Sequence, residues 1–484
     1  MASSKASLIF DHSPFQNEDD LCKKSFLGGM PELPKGIDWP RNSNNEPLHF
    51  LAQVDFEDVN ASCKMGVINF NINVPKTGRI LFFADTTGDS LWNDDGKAVK
   101  VIFIKNGILS GPIQASPVDL KSPLLGDCTN YSLERSVYRP VDIPGRMPRH
   151  FPKVNISMRA VNSYPVDYNS SNIYLSEYFE IPKSIESEFS YERNRHLPNL
   201  WWPWLIEKSY EDLRRPPTVD IPESYPWNWY IIERSCQEIH SEVQRISVSF
   251  NNPNSSDKLP SLCRKIFDST IIDVEQWIEK AALHNEYEEV STDTSVQFNT
   301  WLKSMPKKIG KPIPKRKIKG DWALINWISP DRKYISDYTW WDNLVVGMRK
   351  LLGIEKKIKE KLLTKLKLNS MLKSALPNGI RSSWPYIRAQ DVSKSIPKDI
   401  VDRLNIDCMP LNYGDGQLHF MFGNPVEVQD LGDIPDKNVL LLQIASDKAL
   451  HLMWGDVGIL QVWIKESDLA IGNFENITFT ADCH

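Results

Sequence analysis

Leu440 to Ile464 reads LLLQIASDKALHLMWGDVGILQVWI. Two apolar runs, Leu440 to Ala445 and Gly458 to Ile464, enclose a mixed stretch that closes on Trp454-Gly455-Asp456. Runs this short, rich in β-branched and aromatic residues and punctuated by Gly, read as two strands and their connection. The tripeptide has the chemistry of a turn. Gly takes positive φ without penalty, Asp bonds downstream backbone amides, and Trp covers the adjoining sheet with its ring. A ligand-binding role is the alternative, and Asp456 is the one member able to do acid–base work.

Working outward, QLHFMF (Gln417 to Phe422) and ITFTADC (Ile477 to Cys483) have the same strand-like character. Far upstream, PLHFLAQVDF (Pro47 to Phe56) and GRILFFAD (Gly78 to Asp85) repeat the theme. FLAQVD, followed by a strand that opens on Gly78, matches LLLQIA, followed by a strand that opens on Gly458, with Gln53 and Gln443 in the same place. Two related β units packed together would account for this, because a half-sheet cannot bury its apolar face alone.

Between these ends the period changes. YIIERSCQEIHSEVQRI (Tyr230 to Ile246) and LPSLCRKIFDSTIIDVEQWIEKAALH (Leu259 to His284) carry apolar residues three and four apart, as does GIEKKIKEKLLTKLKLNSMLKSAL (Gly353 to Leu376). Pro-rich joints such as RRPPTVDIPESYP and KKIGKPIPKRKIKG interrupt them. A chain of 484 residues exceeds what one core usually supports. The expected architecture is mainly β and roll-like, with a large helical insertion, α+β overall. Residues 1–200 form the first half of the β domain, 201–400 a Trp-rich, basic, helical insertion, and 401–484 the second half.

With 41% hydrophobic and 25% charged residues, the composition is that of a folded globular protein. The seven Cys are scattered and include no CxxC pair, which fits reduced thiols and a cytoplasmic location. The start, MASSKASLIF, lacks a signal-peptide core, and no run approaches the ~20 apolar residues that span a bilayer.

The stretches GGMPELPKGIDWP, PLHFLAQVDF, LHFMFGNPVEVQD and LLLQIASDKALHLMWGDVGILQVWIKESDL, in that order, resemble the YwqG-like family of bacterial proteins of unknown function. The most specific positions are His419, Gly423, Pro425, Gln429 and Asp430, then Met453, Trp454, Gly455, Asp456 and Gly458. The resemblance covers the first ~120 and last ~75 residues, read as strands and turns. It implies a mainly β, roll-like fold of two similar halves and no established activity.

His419 is the residue most open to chemistry. It stands at a strand that runs into Gly-Asn-Pro, and Gln429-Asp430 could return beside it; a His near a carboxylate can act as a base or hold a metal. The other reading is a histidine bonded to its own loop. HExxH, GxSxG, GxGxxG and GxxxxGK[ST] are all absent, and Cys and His are not set at zinc spacing, so neither a cofactor nor a metal is expected.

Charge is segregated. Trp301 to Leu376 holds 19 Lys and Arg against 6 Asp and Glu, a net of +13, so the rest of the chain carries −18. Lys315, Arg316 and Lys317 lie at the centre of one basic run. Twelve of the sixteen Trp fall between Trp201 and Trp384, Trp201, Trp202, Trp204, Trp340 and Trp341 among them. Trp density belongs either to an aromatic core or to an exposed anchor patch.

A basic helix with Trp at its flank can lie on an anionic membrane surface or face an acidic protein. It can equally pack on the chain's own acidic surface. Base-reading motifs are absent, so nucleic acid is not an expected partner. These readings point to a cytoplasmic bacterial protein that binds a macromolecule, such as an immunity or regulatory partner of a toxin or enzyme, through Trp201, Trp202, Trp204, Lys315, Arg316, Lys317, Trp340 and Trp341. The alternatives are an enzyme using His419 with Asp430 or Asp456, and a peripheral membrane protein.

Overall fold

A computed structural model describes residues 4–12, 24–65, 68, 70–93, 96–106, 112–123, 144–164, 225–251, 261–285, 288–304, 419–426, 438–447, 450–455 and 458–483. The basic runs of 307–320 and 353–376, together with Trp201, Trp202, Trp204, Lys315, Arg316, Lys317, Trp340, Trp341, Gln429, Asp430 and Asp456, lie outside these residues.

The strands are β1 (Lys5–His12), β2 (Phe26–Leu27), β3 (His49–Asp55), β4 (Arg79–Ala84), β5 (Val99–Ile104), β6 (Val154–Ser163), β7 (Phe420–Phe422), β8 (Asn438–Ala445), β9 (Ile459–Lys465) and β10 (Ile477–Asp482). All ten join one sheet in the order β10-β9-β8-β7-β1-β6-β2-β3-β4-β5. The neighbouring pairs are antiparallel. The fold is therefore mainly β, and both ends of the chain contribute to the sheet.

β3 and β4 read as almost unbroken apolar runs because both of their faces are covered. Val54, Ile80, Phe82 and Ala84 enter the main core, whereas Phe26, Phe50, Leu81 and Phe83 pack with Leu33, Trp39, Leu48 and Leu120 in a second core. Burying a strand on both sides removes the polar alternation of a half-exposed sheet.

The strand pairs on the two sides of β1 and β6 share backbone detail. Phe26 of β2 stands opposite Gln53 of β3, and Phe420 of β7 opposite Gln443 of β8. The register of β3 against β4 shifts between Phe50 and Ala52, and that of β8 against β9 between Leu440 and Leu442. Each bulge sits just ahead of the glutamine, and the added residue turns its side chain to the other face. Positive φ values of 60° and 71° at Gly28 and Gly29 recur as 62° and 78° at Phe422 and Gly423. Gln53 Oε1 accepts the Glu32 amide at 3.1 Å, and Gln443 Oε1 accepts the Val426 amide at 3.1 Å. Phe56 N–H donates to Gly78 O at 2.9 Å, and Ser446 N–H to Gly458 O at 3.0 Å.

The helices are α1 (Phe56–Met65), α2 (Trp229–Asn251), α3 (Ser261–Ala282), α4 (Thr292–Ser304) and α5 (Glu466–Ile471). α2 and α3 form where Tyr230 to Ile246 and Leu259 to His284 carry the helical period. Asn228 caps α2, its Oδ1 accepting the Ile231 amide at 3.0 Å. Tyr225, Trp227, Trp277, Phe298 and Trp301 interlock edge-on or tilted between these helices. Trp227 and Trp229 are buried, and Trp277 and Trp301 half-buried. These four tryptophans serve a core and not an exposed patch.

Candidate functional site

His419 immediately precedes β7, which places its ring beneath the end of β8. The Ala445 amide donates to Nδ1 at 3.1 Å, so the ring proton sits on Nε2, which donates to Asp447 Oδ2 at 2.9 Å. The His419 carbonyl accepts the Phe10 amide of β1 at 2.9 Å. His419 and Asp447 are each about 3% exposed. A ring whose two nitrogens are engaged in this way holds a strand end, a carboxylate and a fixed tautomer together.

Among the described residues, the carboxylate bonded to His419 is Asp447. The sequence pointed to Asp430 or Asp456, both of which lie outside the described residues, and did not single out Asp447. A signal was present, since Asp447 follows Gln443 by four residues in LQIASD, two beyond the end of β8. It could not be read as a partner, because pairing across 28 residues of chain depends on the sheet register.

The same position on the other side is held by Ser25, one residue before β2. The Asp55 amide donates to Ser25 Oγ at 3.0 Å, and the Ser25 hydroxyl donates to Asp58 Oδ2 at 2.6 Å. Asp55 lies next to Arg79, whose Nε donates to Asp55 Oδ2 at 3.0 Å and whose guanidinium also pairs with Glu32. Burial raises the Asp55 carboxyl above its ordinary range.

Around Trp454 the described backbone closes on itself through several hydrogen bonds, while Asp456 lies outside the described residues. Asp447 and Leu452 exchange both backbone hydrogen bonds, at 2.7 and 2.9 Å. Ser446 Oγ donates to Gly458 O at 2.8 Å and accepts the Trp454 amide at 3.0 Å; Gly458 N–H closes on Trp454 O at 2.6 Å. Trp454 is fully buried. Gly455 has φ +50°, and a Cβ there would stand 2.6 Å from Cys483 Sγ; one at Gly458 would overlap Asp482 O. Trp454 and Gly455 thus form the bend that packs this connection against the end of β10.

A second buried histidine, not anticipated from sequence, lies in β3. His49 Nε2 bonds Lys121 O at 3.0 Å and Nδ1 bonds Thr86 Oγ1 at 2.9 Å. Burial pushes its pKa down to about 4, so the ring is neutral, with Nε2 donating to the carbonyl and the Thr86 hydroxyl donating to Nδ1. Nearby, Asp85 accepts the Gly88 amide at 3.0 Å and the Asn42 amide side chain at 3.1 Å.

Among the described residues, no group of three or more His, Cys, Asp or Glu is placed to hold a metal ion. Nor is any described helix long and apolar enough to cross a membrane. Among the described residues, Cys63, Cys236 and Cys483 form no disulfide.

The family described as domain of unknown function (DUF1963) matches residues 25–202 and 356–483. These segments contain β2 to β6 and β7 to β10. No curated protein matches the chain.

Proposed function

The chain belongs to the DUF1963 family, and on that premise we propose that it is a non-catalytic, cytoplasmic bacterial binding protein, an immunity or regulatory partner for an acidic macromolecule. The observation that carries this reading is the state of His419. Its two nitrogens are engaged by Ala445 and Asp447, which gives the residue most open to chemistry a structural task. Partner binding then falls to the basic, Trp-rich middle, where Lys315, Arg316 and Lys317 steer an acidic surface and Trp201, Trp202, Trp204, Trp340 and Trp341 anchor it.

The β segments are proposed to be two copies of one unit, with 1–200 and 401–484 as halves of a single domain and 201–400 inserted between them. Support comes from the paired glutamines, the paired bulges and the positive φ at Gly28-Gly29 and Phe422-Gly423.

Affinity capture from the native host tests the binding reading, with the full chain compared with the Lys315→Glu, Arg316→Glu, Lys317→Glu triple variant. The expected outcome is a stoichiometric acidic protein held by the parent and lost from the variant. Capture of the same protein equally by both would remove the basic run from the site. Turnover of a substrate that vanishes on His419→Ser in a variant that remains folded would replace binding by catalysis.

A further inference from the structure

Residues 144–147, on the segment that leads into β6, grip the helices as a bound peptide grips a groove. Arg146 enters between α2 and α3, where its backbone amide donates to Glu233 Oε1 at 2.6 Å and its guanidinium to Glu233 Oε2 at 2.8 and 3.0 Å. The same guanidinium donates to the carbonyls of Ala281 and His284 at the C-terminal end of α3, at 3.0 and 2.9 Å. A cation is favoured there by the helix dipole, and the guanidinium shares the Ala281 carbonyl with the His284 amide, which donates to it at 3.1 Å. Glu233 is fully buried, so Arg146 is the charge that lets a carboxylate sit inside this layer.

The neighbouring residues add backbone recognition. Gln237 Nε2 donates to Pro144 O at 2.8 Å and Arg146 O at 3.2 Å. Arg234 donates to Arg146 O and approaches Met147 Sδ at 3.4 Å. Gly145, at φ +95°, leaves room that no side chain could use, because a Cβ would stand 2.6 Å from Glu233 Oε1 and 2.7 Å from Ile278 Cγ2.

We infer that residues 144–147 are an intramolecular latch, an arginine-bearing strap seated in the α2–α3 groove that locks the helical layer to the sheet at the start of β6. Its grip is charged and backbone-directed, and the Arg146 side chain is 31% exposed, so the latch is set at the surface and opens without dismantling the sheet. Release would uncover a groove with a buried acid at its floor, suited to an arginine-containing extended peptide of a partner.

Hydrogen exchange on the full chain tests the latch. In Arg146→Ala, amides of Trp229–Asn251 and Ser261–Ala282 should exchange on the order of a hundredfold faster, with Arg79–Ala84 and Ile459–Lys465 unchanged. Gly145→Ala, which leaves every charge in place, should shift the same helices in the same direction. Helices that keep their parent rates in both variants would overturn the latch. So would acceleration equal in helices and strands, which would make the segment part of one cooperative core. Arg146→Lys, with its single point of charge, should fall between parent and Arg146→Ala.

Discussion

On one face of β3 and β4, Phe50, Leu81 and Phe83 pack with Phe26, Trp39 and Leu120. At the matching places on β8 and β9 stand Leu440, Gln461 and Trp463, and a glutamine ladder takes over from aromatic packing. Gln461 Nε2 donates to Gln443 Oε1 at 3.0 Å and to Val426 O at 2.8 Å, while the Thr480 hydroxyl donates to Gln461 Oε1 at 3.2 Å. In the first region, Gln53 faces Leu81 and spends its amide on the backbone, with Nε2 donating to Lys24 O at 2.9 Å. The two regions share their backbone bonds and differ in filling. The frame is thus fixed by main-chain geometry that a Gln after a bulge completes, while the layer above it accepts either rings or a satisfied polar network.

The sharpest break of the comparison is at the paired glycines. In Gly423→Ala the new Cβ would overlap the hydroxyls of Ser7 and Ser163 at φ +78°, whereas in Gly29→Ala it meets Lys153 Cβ at 2.8 Å. Urea melts should show a loss of about 4 kcal/mol or more for Gly423→Ala and about 2 kcal/mol for Gly29→Ala. Equal losses would mean that the two corners are not packed differently.

Acid comes next. His49 has a folded pKa of about 4 against an ordinary 6.5, so above pH ~6.5 the ring is neutral in both states and contributes no pH dependence. As pH falls from there towards 4 the unfolded chain takes up a proton that the folded chain refuses. Stability then drops by roughly 1.4 kcal/mol per unit, about 3 kcal/mol in all. His150, lowered to about 4 by burial, acts in the same direction. Urea midpoints at pH 7, 5.5 and 4.5 should fall steeply in the parent and less steeply in His49→Gln. An unchanged slope would detach acid sensitivity from this side of the sheet.

Exchanging fillings gives smaller effects. Gln443→Leu strands the Val426 amide and should cost about 2 to 3 kcal/mol. Gln461→Leu, which imports the residue found at Leu81, should cost about 1 to 2 kcal/mol, and a double-mutant cycle should show the two glutamines coupled. Strict additivity would dissolve the ladder into independent bonds. His419→Ser, importing Ser25, keeps an acceptor for Ala445 but gives up the reach to Asp447, at about 2 kcal/mol. Least of all, Arg41→Ala removes an exposed pair with Asp119, held at 2.7 and 3.0 Å, and should leave the urea midpoint nearly unchanged.

Much of this architecture was legible in the residues themselves. Short apolar runs bounded by Gly, Pro and Asn gave the strands, and the three-and-four spacing of Tyr230 to Ile246 and Leu259 to His284 gave α2 and α3. Family membership followed from the same stretches. These features are local, set by side-chain period and turn chemistry within a few residues, and sequence order preserves them. The state of His419, its bond to Asp447, the neutral ring of His49 and the seat of Arg146 against Glu233 were decided only by the tertiary structure. Each is a contact across 26 to 87 positions of chain, or a burial that those contacts create. A side chain's partners and its protonation follow from strand order and register, which no short window of residues contains.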